Sequence, residues 1–287
     1  MSERSGLPVG DLPVRGLPVG DLPVRRGRPT VDLPVPAVAL AVGAHPDDIE
    51  FGCGGTLAKW AAAGCRLHHL VLADGSKGTW DKSTDTDDLT RVRKDEQREA
   101  ARILGGGEVT FLDMVDGELD SGTEARRRVC EVIRRVRPDV LLGHDPWRRY
   151  RLHPDHRHAG WLVVDGLVAA RDHKFFEASG ESHRPSHLLL FEPDVPNHVE
   201  DVAGHVETKI AALLAHKSQH LSTMGIGAAG PTTERPTPAT VAHGAVTNGT
   251  AANGTEVFAE QVRAQLSSHG AIAGIGAGEA FHRIDDT

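Results

Sequence analysis

The sequence predicts an α/β fold built on a mainly parallel sheet. Short apolar segments alternate with helical segments along most of the chain, a pattern typical of βαβ units with right-handed crossovers. The first apolar segment, residues 37–42, carries no polar residue, as expected of a strand buried on both faces. Ligands of such sheets bind beyond the carboxyl ends of the strands, so the loops after the strands are the candidate functional sites.

The predicted elements follow in regular order. Strands are predicted at residues 37–42, 67–73, 108–112, 139–143 and 186–191. Helices are predicted between and after them, at residues 50–63, 86–104, 122–136, 156–170 and 204–215. Gly64, Gly105 and Pro138 follow three of these helices and are typical stop signals.

Two segments interrupt this pattern. Residues 6–15 recur at 16–25, and residues 32–35 repeat part of the unit, with a proline every five residues in the repeats. Because such proline spacing forbids a helix, we expect residues 1–35 to be a disordered, proline-rich tail. Residues 225–255 contain few large apolar side chains, which predicts a flexible insertion. The 287 residues then hold a single domain at 36–287.

Composition excludes several classes of protein. The chain has 32 Lys and Arg against 40 Asp and Glu, a net charge of −8, which argues against nucleic-acid binding. The odd set of Cys53, Cys65 and Cys130 has no C-x-x-C spacing, which predicts reduced thiols and no cysteine-rich zinc site. No apolar run of about 18 residues and no secretory signal is visible, so we expect a cytoplasmic protein without a membrane span.

The loop after the first strand carries one imidazole and several carboxylates. His45 and Asp48 are three residues apart, a spacing that points both side chains the same way on a first helical turn. A nitrogen and an oxygen ligand suit Zn²⁺. Asp47 then points elsewhere and is free to accept a proton. The alternative for this loop alone is an N-capping aspartate beside an incidental histidine.

The loop after the fourth strand repeats the arrangement. His153 and His156 flank Pro154 at the start of a predicted helix, and Asp155 is placed to orient an imidazole. Both loops lie at the same edge of the sheet. The alternative, that both clusters are surface residues without a function, is therefore the weaker one.

Together the two loops predict a catalytic metal site. His45, Asp48 and His156 would supply three ligands and leave one position open, as catalytic zinc sites do. Asp47 would be the general base, and His153 would protonate the leaving group or stabilise an oxyanion.

The two motifs resemble those of the PIG-L/LmbE-like family of zinc-dependent N-deacetylases. The family pattern A-H-P-D-D-x-E is intact at residues 44–50, and H-P-D-H is intact at residues 153–156. The resemblance extends over residues 37–219 and resumes near the C-terminus, but it does not cover the repeats or the insertion.

The resemblance implies a Rossmann-like, three-layer αβα fold and a Zn²⁺ cofactor, with Fe²⁺ or another divalent metal as alternatives. It implies hydrolysis of an N-acetyl group from a small molecule that contains N-acetylglucosamine. It also implies a possible homo-oligomer, since relatives often associate. It also implies that Asp155 orients His153 and that Arg93 and Asp116 contact the sugar. The alternatives for this last pair are a helix-surface arginine in an ion pair and a turn aspartate.

Other functions remain open from the sequence. They are a metal-dependent amidase acting on a thiol–sugar conjugate or another amide, a metal-dependent phosphoesterase, and a non-catalytic sugar-binding protein. The phosphoesterase is disfavoured because a second set of metal ligands is not evident.

Overall fold

The structure, a computed structural model, describes residues 27–227 and 251–287. Eight strands form one sheet, in the spatial order β1-β7-β8-β6-β5-β2-β3-β4. The strands are β1 (Thr30–Val31), β2 (Val38–Gly43), β3 (Arg66–Ala73), β4 (Glu108–Met114), β5 (Val140–His144), β6 (His187–Phe191), β7 (His198–Asp201) and β8 (Gly278–Asp285). All neighbouring strands pair in parallel except β8, which is antiparallel to both β6 and β7.

Helices cover both faces of the sheet, so the predicted three-layer α/β fold is confirmed. They are α1 (Asp48–Ala62), α2 (Thr86–Ile103), α3 (Thr123–Val136), α4 (Pro154–Arg171), α5 (Val206–Leu214) and α6 (Ala251–Ala273), with 3₁₀ turns at Glu177–Ser179, Ala203–His205 and Lys217–Gln219. Helices α3 and α4 pack together on one face, and α1, α2 and α5 on the other. None of the described helices is long and apolar enough to cross a membrane.

All five predicted strands are present, within two residues at each end, but three more strands were missed. Strands β1 and β7 have only two and four residues, too short for a hydrophobic pattern. Strand β8 follows the insertion and returns antiparallel between β6 and β7. All three cysteines are buried and free, as predicted.

The predicted boundaries of the tail and of the insertion need correction. Thr30 and Val31 pair with β7, and Leu33 is buried in the core. The segment is held there because Asp32 lies 2.7 Å from the Lys59 ammonium and the Leu33 amide donates to Glu200 at 2.8 Å. The last residues of the predicted insertion belong to α6. The repeats at 6–25 and residues 228–250 lie outside the described residues.

Helix α1 contains a break near its N-terminus. Cys53 has non-helical backbone angles, with φ −149°. Directly after the break, the amides of Gly55 and Thr56 donate to the two carboxylate oxygens of Glu279 at 2.9 and 2.7 Å. The carboxylate therefore caps the second part of the helix, where free N–H groups and the helix dipole favour a negative charge.

Candidate active site

Polar side chains converge where β2, β4, β5 and β6 end. The turn after β2 carries His45, Asp47 and Asp48, and the loop after β4 carries Asp116. Helix α4 begins at the same edge. His153 caps its N-terminus, since the Asp155 amide donates to Nδ1 of His153 at 3.3 Å. Pro154 occupies the first turn, where no amide donor is needed.

His45, Asp48 and His156, the predicted metal ligands, come together. Their ligand atoms all lie within 4.8 Å of one another. Oδ2 of Asp48 lies 3.3 Å from Nδ1 of His45, and Oδ1 lies 3.2 Å from Nε2 of His156. Asp48 also accepts the His45 amide at 2.7 Å, which fixes the turn. Two nitrogens and one oxygen form a donor set that suits zinc.

His144, to which sequence analysis gave no role, extends this centre. It is the last residue of β5, and its Nε2 is buried, lies 3.3 Å from Oδ2 of Asp48 and makes no hydrogen bond to any described residue. A buried nitrogen without a partner fits a centre built to hold a cation.

Two further groups could hold a metal among the described residues. One combines His45 with Asp116 and His153. The other combines His144 and His156 with Glu192, which directly follows β6. Both overlap the predicted set, so the imidazoles and carboxylates form one continuous centre. Glu192 was missed because it is a lone carboxylate with no motif around it.

Arg151 ties the second of these groups together. Its guanidinium lies 2.9 Å from Nδ1 of His156 and 3.2 Å from Nδ1 of His144, and it pairs with Glu192. Nε2 of each imidazole faces Asp48.

Asp47 lies beside the centre but outside all three groups. Its backbone is in the left-handed region, at φ 107°, and its amide donates to Oε1 of Gln97 at 3.0 Å. Burial raises the pKa of Asp47 to about 6; the Arg93 charge opposes this rise and the Asp48 charge adds to it. A carboxyl with such a pKa is suited to accept a proton near neutral pH.

Asp155 contacts a different imidazole from the one expected. Its side chain is fully buried, and Oδ2 lies 3.0 Å from Nε2 of His45. Only the Asp155 amide reaches His153. The expectation that the carboxylate orients His153 is therefore corrected to His45, because the first turn of α4 directs the side chain inward toward the β2 turn.

His153 lies at the mouth of the centre and is exposed. Its ring centroid is 4.8 Å from that of His45, in an edge-on arrangement, and 4.7 Å from that of His156, in a stacked one. An exposed imidazole next to the ligand set can meet a substrate from solution.

The two residues expected to contact the sugar are both buried. The Arg93 guanidinium donates to the carbonyls of Gly75 and Pro46 at 2.9 and 2.6 Å and lies 3.5 Å from Asp47, so it is not a helix-surface residue. Oδ1 of Asp116 lies 3.2 Å from Nε2 of His45. Burial works against ionisation of Asp116, but the hydrogen bond to His45 and the His45 charge, together with the Lys77 amide and the Arg93 charge, outweigh it and lower its pKa to about 2.

The fold and this centre define an α/β enzyme whose imidazoles and carboxylates could hold a metal. A family model described as GlcNAc-PI de-N-acetylase, PIG-L, matches residues 40–166. Diacetylchitobiose deacetylase of Thermococcus kodakarensis is 35% identical over 184 residues, 63% of this chain and 69% of that protein. The chain belongs to the PIG-L/LmbE-like deacetylase family, and the predicted enzyme class, an amide hydrolase, is confirmed.

A solved structure and a second relative show the range of the family. The structure of N,N'-diacetylchitobiose deacetylase from Pyrococcus horikoshii with its inhibitor MPG has a TM-score of 0.71 and 25% identity, and the match covers 87% of this chain and 84% of that one. 4-Oxalmesaconate hydratase of Pseudomonas putida is 29% identical over 194 residues, 61% of this chain and 71% of that protein.

Proposed function

We propose that this chain is a zinc-dependent hydrolase that removes the N-acetyl group from a small molecule containing N-acetylglucosamine. The observation that carries the proposal is the position of Asp47: a buried carboxyl beside the ligand set but outside it. The names of two relatives support the substrate class, diacetylchitobiose deacetylase and 1D-myo-inositol 2-acetamido-2-deoxy-alpha-D-glucopyranoside deacetylase of Thermomonospora curvata, 27% identical over 241 residues.

His45, Asp48 and His156 would hold the metal. When bound, a divalent cation there polarises an amide carbonyl and makes water more acidic. The supporting observation is the donor set itself, two imidazole nitrogens and a carboxylate oxygen turned toward one another.

The remaining residues would carry the protons. Asp47 accepts a proton from the water that attacks the carbonyl carbon, and its raised pKa keeps it competent for this step near neutral pH. His153 stabilises the oxyanion or protonates the amine nitrogen as the C–N bond breaks. The products are acetate and the free amino sugar. Arg93 holds the turn that carries Asp47, and Asp116 and Asp155 fix His45.

The test measures release of a primary amine from N-acetylglucosamine and from N,N'-diacetylchitobiose, together with bound metal. We expect Asp47→Asn to lose at least about 100-fold in turnover while retaining metal. This loss corresponds to the usual contribution of a general base to the rate. Asparagine tolerates a positive φ, so the backbone is preserved. Asp120→Asn, an exposed aspartate, is the control and should match the wild type.

Three outcomes would contradict the proposal. Wild-type turnover by Asp47→Asn would remove the assigned base. Release of phosphate from p-nitrophenyl phosphate, with no amine release from any acetamido sugar, would indicate a phosphoesterase. Amine release only from amides without an acetamido sugar would retain the hydrolase but reject the substrate class.

A further inference from the structure

A chain of buried polar side chains leads away from Asp47 into the core. Gln97 of α2, Glu50 of α1 and His216 after α5 are all fully buried. None of them belongs to a group of described residues that could hold a metal. Burying polar groups is costly unless they are hydrogen-bonded, so each of these side chains needs a partner in the core.

The hydrogen bonds leave Gln97 one orientation. Its Oε1 accepts the Asp47 amide at 3.0 Å, and its Nε2 donates to Oε1 of Glu50 at 2.8 Å. The second carboxylate oxygen of Glu50 lies 3.3 Å from Nε2 of His216. Because Glu50 accepts only and the Asp47 amide donates only, a flipped Gln97 amide would lose both bonds.

Asp47 needs such support because its conformation is unfavourable. A residue other than glycine at φ 107° costs on the order of 1–3 kcal/mol and persists only where its surroundings hold it. As the cap of α1, Asp47 has no helical partner for its amide. The Gln97 oxygen is the acceptor that the structure provides.

We propose that Gln97 is a positioning residue for Asp47, and that Glu50 and His216 fix the orientation of Gln97. This inference rests on the proposed function of Asp47 as general base. Gln97, Glu50 and His216 are too deeply buried to meet a substrate, so they act only through the Asp47 turn. The orientation of the base therefore depends on three elements that are distant in sequence.

The first variant is Gln97→Met, which preserves approximate length but removes both hydrogen bonds. We expect kcat for amine release to fall at least about tenfold, while KM and bound metal stay within about twofold, since the metal ligands keep their contacts. An unchanged kcat in a folded variant, or an equal loss of metal, would overturn the proposal.

A reciprocal exchange keeps the test decisive if Gln97→Met does not fold. Gln97→Glu places two carboxylates face to face and should lose activity. Adding Glu50→Gln restores a donor opposite an acceptor at the same net charge, and it should bring kcat back to within about threefold of the wild type. Failure of this rescue in a folded, metal-loaded double variant would overturn the proposal.

Asp47→Asn separates the two hypotheses. If that variant keeps full turnover, the proposed function fails whatever Gln97 does. If it is inactive while Gln97→Met is fully active, the base assignment stands and the positioning role is rejected.

Discussion

The carboxylate of Asp155 lies 3.0 Å from Nε2 of His45, a residue 110 positions earlier in the chain. The same carboxylate accepts the amides of Gly117 and Leu119 at 2.7 and 3.3 Å. It thus joins the two sequence motifs and the loop after β4. A carboxylate on Nε2 selects the tautomer protonated there, which leaves Nδ1 of His45 to face Asp48 as a ligand atom.

Asp155→Asn should therefore weaken metal binding. The amide keeps the shape but loses the charge that orients His45, and partners of this kind typically contribute 10- to 100-fold, so we expect a loss of about that size in zinc affinity. Competition titration with a zinc chelator measures it, with Asp120→Asn as the control. Unchanged affinity in Asp155→Asn would show that His45 does not depend on this contact.

The pKa of Asp47 sets an acid limit on activity. Burial raises it to about 6, and a bound cation would lower it. A general base works only when deprotonated, so kcat/KM should fall with a slope of one proton as the pH drops through a midpoint at or below about 6. This acid limb, the fall in kcat/KM at low pH, should be absent from the residual activity of Asp47→Asn. A midpoint above pH 7, or an identical limb in that variant, would assign the ionisation elsewhere.

The two histidine motifs could be predicted from sequence because each is local. His45 and Asp48 follow a strand directly, and His153 and His156 flank a helix start, so strand order alone brings them to one edge. The partner of Asp155 could not be predicted, because it depends on how the first turn of α4 faces the β2 turn.

The support for Asp47 was also beyond prediction. Gln97, Glu50 and His216 come from separate elements, and no spacing links them before the helices pack. No helix was predicted for residues 251–273, and one reason is that the first residues of α6 have the Ala, Asn and Gly composition of a loop. The parallel part of the sheet follows from the alternation of strands and helices, but β8 reverses direction after a long connection that carries no such signal.

A buried ion pair should control the stability of the fold. Nζ of Lys209 lies 2.6 Å from Oε1 of Glu279, with both side chains almost fully buried, and it also donates to the Phe51 carbonyl. Removing one partner leaves the other charge unpaired, so we expect Lys209→Met to lower the free energy of unfolding by about 3–5 kcal/mol.

Urea denaturation measures this effect. The matched control is Lys174→Met, whose ammonium lies 3.6 Å from Glu177 on the surface and should change stability by no more than about 1 kcal/mol. Equal stability of the two variants would show that the buried pair contributes nothing beyond a surface pair.

The glycines at the start of α1 allow close packing of the helix on the sheet, and Gly52 is the critical one. A Cβ on Gly52 would lie 2.6 Å from the ring of Phe191, whereas a Cβ on Gly54 would meet its nearest neighbour, Lys209, at an ordinary 3.4 Å. Phe191 in turn packs edge-on against the His144 ring, at 4.6 Å between centroids. We expect Gly52→Ala to cost about 1–3 kcal/mol through overpacking and to disturb His144.

Gly54→Ala is the matched control, because the same methyl group enters the same helix two residues later. It should be neutral or slightly stabilising, since alanine favours a helix over glycine by about 1 kcal/mol. Thermal unfolding and zinc affinity, measured for both variants, separate packing from helix propensity. Of these two positions, only Gly52 lies close to Phe191. Equal changes in unfolding temperature and zinc affinity for both variants would therefore show that the contact with Phe191 is not the reason for glycine at position 52.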